Sequence, residues 1–125
     1  MTYVDGFVLP VPKKNIGKYR KMAAEGGRMW KRHGALQYFE CVGDDLNPNM
    51  GGMKFLRFPK TVRAKPGETV VFSFIIYRSK AHRNAVNSKV MKEWKEIEKK
   101  RGKQMEMPFD VRRMAYGGFR AVVKA

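Results

Sequence analysis

The spacing of apolar residues along the chain switches between the two-residue period of β-strands and the three-to-four-residue period of helices. Four segments have the alternation or the short apolar run of a strand, with turn residues at their ends: Tyr3–Val11, Ala35–Val42, Glu68–Tyr77 and Arg113–Val123. In the first strand, Pro10 and Pro12 lack the amide hydrogen that a sheet ladder uses. We therefore expect these two prolines to close it.

The first helical segment follows this strand. It begins near Lys13, repeats apolar side chains at intervals of three and four between Ile16 and His33, and stops at Gly34. The pair Gly26-Gly27 lies inside the pattern, where glycine lowers helix propensity. We expect this pair to mark either a kink or a close contact with another element.

The second helical segment begins after Ser79, the predicted N-cap, and ends at Gly102. Its predicted apolar stripe consists of Ala85, Val90, Met91, Trp94 and Ile97. Between the second and third strands, the stretch from Lys54 to Ala64 is predicted to be extended, and Lys65-Pro-Gly67 is a turn signal.

The order βαββαβ predicts an α+β fold of the ferredoxin-like type, in which an antiparallel four-stranded sheet carries two helices on one face. A chain of 125 residues is expected to form one domain, residues 1–125. The third strand contains the unbroken apolar run Val70-Val-Phe-Ser-Phe-Ile-Ile76, which predicts that both of its faces are covered. Because a monomer rarely exposes such a large apolar surface, we expect a second copy to pack face to face in a two-fold homodimer.

Charge is the outlier of the composition, with 27 Lys and Arg against 11 Asp and Glu, a net charge of +16. Residues 13–33 carry eight basic residues and one acidic one, and residues 78–103 carry ten and three. The excess therefore lies on the two predicted helices, where it would attract phosphates and acidic partners. One interpretation is binding of nucleic acid or another polyanion through Lys14, Lys18, Lys21, Arg28, Lys31 and Arg32; the other is solubility alone.

Cysteine content and hydropathy bear on the compartment. The only cysteine, Cys41, cannot form an internal disulfide, and a small buried hydrophobe is its expected role. No apolar run approaches the roughly 20 residues of a membrane span. The N-terminal segment has Asp5 and no basic region of the signal-peptide type. We expect a cytoplasmic protein with no membrane partner.

Short motifs spread over nearly the whole chain resemble those of a known family. They include Tyr3-Val-Asp-Gly-Phe-Val8, Glu40-Cys-Val-Gly-Asp-Asp45, Glu68-Thr-Val-Val-Phe-Ser73, Ser79-Lys-Ala-His-Arg83, Asn87-Ser-Lys-Val-Met91 and Met107-Pro-Phe-Asp110. On these motifs the chain resembles the YbaA-like family of bacterial proteins, a family of unknown function within the dimeric α/β-barrel superfamily. The resemblance implies a ferredoxin-like protomer and a homodimer whose sheets face each other. It implies no catalytic residues.

Asp5 is the first candidate for chemistry. It shares a strand face with Tyr3 and Phe7, and a carboxylate on a covered sheet face must be paired or its pKa rises. Strand four is the expected neighbour of this strand and supplies Arg113 and Tyr116. Asp5 is therefore expected to be either a proton acceptor in a cleft between sheet and helices or a member of a structural ion pair or hydrogen bond.

A second group of polar residues lies in the first turns of the second helix. His82, Arg83 and Asn87 are expected either to line a ligand pocket at the edge of the sheet or to remain solvated. The catalytic candidates are thus Asp5, His82, Arg113 and Tyr116, and the ligand-binding candidates are Arg83 and Asn87. Gly117-Gly118 in the last strand predicts a bulge or a close approach of the backbone to another group.

No metal site and no cofactor are predicted. The two histidines have no carboxylate pair at ligand spacing, and the chain has neither a phosphate-binding loop nor a dinucleotide fingerprint. The leading hypothesis is a homodimer with a small-molecule pocket between sheet and helices, with the question of catalysis left open. The alternatives are the polyanion-binding protein described above and a structural or regulatory dimer without a ligand.

Overall fold

The computed structural model describes residues 1–125 and shows a four-stranded antiparallel sheet with two long helices. The elements are β1 (Tyr3–Pro12), α1 (Ile16–Arg32), β2 (Gln37–Val42), α2 (Phe58–Thr61), β3 (Glu68–Tyr77), α3 (Lys80–Arg101) and β4 (Ala115–Arg120). Short 3-10 turns at Lys13–Asn15 and Val111–Arg113 precede α1 and β4. The strand order β2-β3-β1-β4 is that of the ferredoxin-like arrangement. The predicted α+β class is confirmed.

The central strand β1 pairs with β3 along its whole length, up to Pro12 opposite Glu68. The expectation that prolines close this strand was therefore wrong. On its other side β1 pairs with β4 only from Tyr3 to Val8. Pro10 and Pro12 lie beyond that point, so a proline ring there displaces no hydrogen bond to β4.

The core lies between the sheet and the two long helices. It consists of alternate strand residues that face the helices and of helix residues that lie in a narrow stripe facing the sheet. The buried members are Tyr3, Leu9, Val11, Val71, Ile75 and Tyr77 of the sheet with Tyr19, Ala23, Met29, Val86 and Val90 of the helices.

The two helices differ slightly from their predicted limits. A 3-10 turn occupies Lys13–Asn15, so α1 begins at Ile16. On α3 the apolar stripe includes Val86, which is buried, and excludes Ala85, which is exposed. Val86 and Val90 are four residues apart, whereas Ala85 projects from the neighbouring face of the helix. The predicted N-cap and the predicted end of α3 are confirmed, since Ser79 accepts a hydrogen bond from the His82 amide and Gly102, with φ 73°, is the C-cap.

Two other segments were predicted with the wrong conformation or length. The stretch from Lys54 to Ala64, expected to be extended, contains the one-turn helix α2, which has Pro59 in its first turn. The last strand begins at Ala115 because Asp110 caps a 3-10 turn just before it, accepting a hydrogen bond from the Arg112 amide at 3.1 Å. No helix is long and apolar enough to cross a membrane.

The second face of the sheet carries neither of the two long helices. At one end α2 lies against it, where the Phe58 ring meets Phe72 edge-on at 6.1 Å, and there the face also takes Pro10 and Pro12 of β1 and Val70 and Glu68 of β3. Beyond that end, the strand registers place three residues of each strand on this open face: Gln37, Phe39 and Cys41 of β2; Phe72, Phe74 and Ile76 of β3; Val4, Gly6 and Val8 of β1; and Ala115, Gly117 and Phe119 of β4. None of these twelve is charged. Cys41 is exposed on this face, so its predicted burial in the core was wrong.

Candidate functional site

A cavity of about 380 Å³ lies between the helix-facing side of the sheet and the two long helices. Its wall is mostly apolar and rich in methionine and aromatic side chains. These include Phe7, Met22, Trp30, Met91, Trp94, Met107, Phe109 and Met114. The thioethers and rings form a deformable lining that can adjust to the shape of a guest. This is the place, between sheet and helices, in which the sequence predicts a pocket.

One carboxyl group lines the cavity, that of Glu40 on β2. It accepts hydrogen bonds from two tyrosines, at 2.6 Å from the Tyr19 hydroxyl and at 2.8 Å from the Tyr38 hydroxyl. Burial raises the pKa of Glu40 above its ordinary value, while the two tyrosines and Ser73 oppose the rise. The cavity therefore has one polar end, at which a carboxyl group is held in position and disposed to take up a proton.

The local sequence explains how this polar end forms. Strand alternation turns Tyr38 and Glu40 toward α1, and the Tyr38 ring lies against the glycine pair Gly26-Gly27. A Cβ atom at Gly27 would stand 3.0 Å from Cδ1 of that ring, and one at Gly26 would stand 3.3 Å from the Tyr38 hydroxyl. The close contact that the sequence predicts at this pair is thus confirmed, and α1 continues through it without a break.

Sequence reasoning missed Glu40 as a site residue. In the sequence Glu40 stands out only within the motif Glu40-Cys-Val-Gly-Asp-Asp45, and Tyr19 falls within the apolar stripe between Ile16 and His33. The sequence did contain a signal, the combination of two features. Glu40 follows Tyr38 by two residues on a strand, and the preceding helix contains the pair Gly26-Gly27. Either feature by itself is too common to indicate a site.

A separate polar network surrounds Asp5, which is 1% exposed. As predicted, Tyr116 is its neighbour, with the hydroxyl 3.3 Å from Asp5 Oδ2. The opposing charge comes from Arg83 on α3, whose Nε lies 3.7 Å from Asp5 Oδ1. Arg83 also donates hydrogen bonds to the hydroxyls of Tyr116 at 3.3 Å and Tyr3 at 3.2 Å. Burial raises the pKa of Asp5, against the attraction of Arg83.

Asn87 stands between this network and the cavity. Its side-chain oxygen accepts hydrogen bonds from Trp30 Nε1 at 3.1 Å and from the Tyr77 hydroxyl at 3.2 Å. Trp30 lines the cavity, whereas Asp5, Arg83 and Asn87 do not. The Asp5 network therefore lies behind the cavity wall, and its groups are directed at one another.

The other two catalytic candidates are placed elsewhere. Arg113 forms a two-pronged ion pair with Glu68 at the opposite end of β1, both contacts being 2.7 Å. Hydrogen bonds from Arg113 lower the pKa of Glu68 to about 2. His82 accepts a hydrogen bond from the Arg78 amide at 3.0 Å, and its ring packs edge-on against Tyr77. The structure does not bring either residue next to Asp5.

The six basic residues of the polyanion hypothesis are all exposed. Lys14 lies in the 3-10 turn before α1, and the other five lie on α1. Arg32 forms an ion pair with Glu93 of α3, and Lys31 donates a hydrogen bond to the Leu36 carbonyl at 2.7 Å. These contacts leave Lys14, Lys18, Lys21 and Arg28 as the basic members of this set with no hydrogen bond or ion pair within the chain.

Comparison with known proteins adds a family. Residues 2–111 match the family model described as "Protein of unknown function (DUF1428)". Over 125 residues, 98% of each chain, the sequence is 42% identical to proteins called "Uncharacterized protein YbaA" in Escherichia coli strain K12 and in Shigella flexneri. Among solved structures, the de novo designed protein Foldit4 aligns over 96% of this chain and 97% of its own, with 13% identity and a TM-score of 0.41.

Proposed function

Since the chain belongs to the DUF1428 family of proteins of unknown function and is YbaA-like over its whole length, we propose a function from its cavity: it binds a small, largely apolar or aromatic molecule between sheet and helices. In this proposal Glu40 makes the polar contact with the bound molecule and can exchange a proton with it. The observation that carries the proposal is the placement of Glu40, with its two tyrosines, at the polar end of an otherwise apolar cavity.

Size and lining support a small ligand. The volume of about 380 Å³ falls at the lower end of the range of roughly 300 to 1,000 Å³ that small-molecule sites occupy. Such sites are typically apolar with a few convergent polar groups that orient the guest. Here Glu40, Tyr19, Tyr38 and Ser73 are the convergent groups, and they all line the same cavity.

The state of Glu40 decides what chemistry the site can perform. A carboxyl whose pKa is raised by burial gains and loses its proton closer to neutral pH than an exposed one. In the protonated form it can donate a hydrogen bond to a carbonyl or hydroxyl of the ligand. In the ionised form it can remove a proton from the same molecule. In this proposal Glu40, rather than Asp5, has the acid–base role.

Methionine methyl groups provide a direct test. In protein labelled with ¹³C at the methionine methyls, a library of small aromatic and apolar molecules is screened by NMR. Binding in the cavity should shift the signals of Met22, Met91 and Met114. It should leave those of Met50 and Met53, which are 58% and 66% exposed in the connection between β2 and β3, unchanged. Hits that shift only the exposed methyls would contradict the proposal.

A variant of Glu40 tests the polar contact. Glu40→Gln keeps the shape of the side chain, and we expect it to weaken binding of a hit about tenfold, which corresponds to one hydrogen bond of about 1.4 kcal/mol. Glu96→Gln on the exposed side of α3 removes the same charge far from the cavity and serves as the control. Equal affinities for the two variants would exclude Glu40 from the site.

We also propose that a second copy of the chain covers the open face, as the family resemblance and the apolar third strand led us to expect. In a chain with net charge +16, the part of this face beyond α2 has no charged residue on any of its four strands, and Glu68, at the end next to α2, is paired with Arg113. It has a ridge, where the Phe39 and Phe74 rings stack at 4.8 Å, and a trough of about 430 Å³ at Gly6 and Gly117, partly covered by the Phe119 ring. A two-fold copy can place its ridge in this trough.

The assembly is tested by light scattering. Phe74→Glu introduces a charge at the ridge and should convert a dimer to a monomer, because the charge would be buried without a partner. Val122→Glu, at a position 82% exposed beyond the last strand, makes the same substitution outside the face. A wild-type protein that is monomeric at micromolar concentration would refute the dimer.

A further inference from the structure

The strand β2 forms one edge of the sheet and pairs only with β3. The Gly43 amide donates to the Val70 carbonyl, so the backbone groups of Gly43 point toward β3. Backbone groups of an antiparallel strand point alternately to its two sides. Those of Val42, and of Glu40 and Tyr38 two and four residues before it, therefore point away from β3 to the open edge. Three residues of β2 thus present main-chain donors and acceptors that no other strand of this chain uses.

A groove of about 680 Å³ runs beside this edge, between β2 and α1. The helix contributes residues spaced by three and four along one side, and small side chains at Ala23, Ala24 and Gly27 keep the groove open. The strand contributes Tyr38, Glu40 and Val42, the same residues whose backbone groups face the edge. The groove and the unpaired edge are therefore parts of one surface.

Basic side chains line the helix side of the groove. Arg20, Arg28 and Lys31 stand one to two turns apart along α1, and all three are exposed. Glu40 is the only acidic residue that lines the groove, and its carboxyl group is engaged by Tyr19 and Tyr38. The groove therefore favours a guest with negative charge.

Natural edge strands are commonly protected against pairing by charged residues, prolines or bulges. β2 (Gln37–Val42) has no proline, its only charged residue is Glu40, and that side chain turns toward α1. Pairing of two copies through this edge would bring their basic stripes on α1 together, and the like charges would repel. An extended segment of opposite charge does not meet this repulsion.

We propose that the β2 edge binds an extended acidic peptide segment of a partner protein, which adds to the sheet as a fifth strand. Main-chain hydrogen bonds to Tyr38, Glu40 and Val42 hold the segment, and every second side chain enters the groove. Aspartate or glutamate side chains of the peptide pair with Arg20 and Arg28. The groove shares Tyr19, Ala23, Tyr38 and Glu40 with the cavity, but the proposal rests on the unpaired backbone groups of β2 and on two arginines that do not line the cavity.

The probe is a short fluorescent peptide of alternating valine and glutamate, and binding is followed by fluorescence anisotropy at physiological salt. N-methylation of alternate peptide amides removes one set of main-chain donors and leaves the side chains in place. Methylation of the set that faces β2 should abolish binding, and methylation of the other set should leave it intact. Equal binding of both methylated peptides would overturn strand addition.

Charge reversal tests the groove. Arg20→Glu combined with Arg28→Glu should weaken the peptide about tenfold or more. The matched control, Lys18→Glu with Lys21→Glu, changes the net charge equally on residues of α1 that do not line the groove. Equal losses in the two double variants, or displacement of the peptide by a short RNA at comparable concentration, would show a general polyanion surface and refute the proposal.

Discussion

A methyl group added at Gly118 of β4 is a sharp test of the packing around Asp5. The added Cβ would lie 2.5 Å from the Tyr3 hydroxyl and 2.8 Å from Nη2 of Arg83. Ordinary contacts with a Cβ are about 1 Å longer. Tyr3 is only 7% exposed, so its ring cannot move out of the way without disturbing the core. The close approach that the sequence predicts at Gly117-Gly118 is confirmed at Gly118, and the strand register runs through it without a bulge.

The magnitude follows from these contacts. Overpacking of a buried site costs about 1 to 3 kcal/mol. Displacement of Arg83 also loses its 3.2 Å hydrogen bond to Tyr3, worth about 1 kcal/mol. We therefore expect Gly118→Ala to lower the free energy of unfolding by about 2 to 4 kcal/mol.

Urea denaturation of paired variants measures this effect. Gly117→Ala is the control, because a Cβ there would meet nothing closer than 3.7 Å. Its expected effect is neutral, or stabilising by up to about 1 kcal/mol through the unfolded chain. All variants are compared in the Phe74→Glu background, which should be monomeric, because Gly117 lies in the trough of the proposed dimer and association would add to the apparent stability.

A double variant identifies the clash. Tyr3→Leu removes both ring contacts, the hydroxyl at 2.5 Å and Cε2 at 2.7 Å, so in its background Gly118→Ala should cost at least about 1 kcal/mol less than in the wild type. If Gly118→Ala and Gly117→Ala have equal stabilities, the reasoning about the Asp5 network is refuted.

Three further predictions concern charge. The ion pair with Arg113 lowers the pKa of Glu68 from 4.5 to about 2. The contribution of this ion pair to stability is therefore present above pH 4.5 and is lost as the pH falls toward 2. The melting temperature of Arg113→Met should fall less than that of the wild type between pH 4.5 and 2, and an equal fall would contradict the prediction. Burial raises the pKa of Asp5, so the ionised group opposes folding, and the contribution of Asp5 to stability should fall as the pH rises above about 3.8. In urea denaturation at several pH values, the free energy of unfolding of the wild type minus that of Asp5→Asn should decrease as the pH rises, and a constant difference would contradict this sign. If exposed lysines such as Lys18 and Lys21 bind RNA, they contact phosphates alone, so the affinity measured by anisotropy should drop steeply with salt; binding insensitive to salt would exclude this mode.

The errors of sequence reasoning share a physical origin. Pro10 and Pro12 were predicted to end β1 because proline has no amide hydrogen to donate, which the sequence shows directly. Whether that hydrogen would be needed depends on how far β4 extends along β1, and β4 stops before these prolines. Cys41 was assigned to the core by residue type, but strand register turns it to the open face. Arg113 was placed beside Asp5 because its strand is adjacent, and the structure instead pairs it with Glu68.

Local patterns determined the fold class, because the periodicity of apolar residues and the capping residues Ser79 and Gly102 act over a few neighbours in the chain. They also identified Asp5 and Tyr116 as partners, since strands β1 and β4 are adjacent in this topology. The cavity was decided only by the tertiary structure. Its polar end needs Tyr19 from a helix and Glu40 from a strand, 21 residues apart, to meet within 2.6 Å. That distance depends on how α1 packs on the sheet over Gly26-Gly27, and no residue in the sequence specifies it alone.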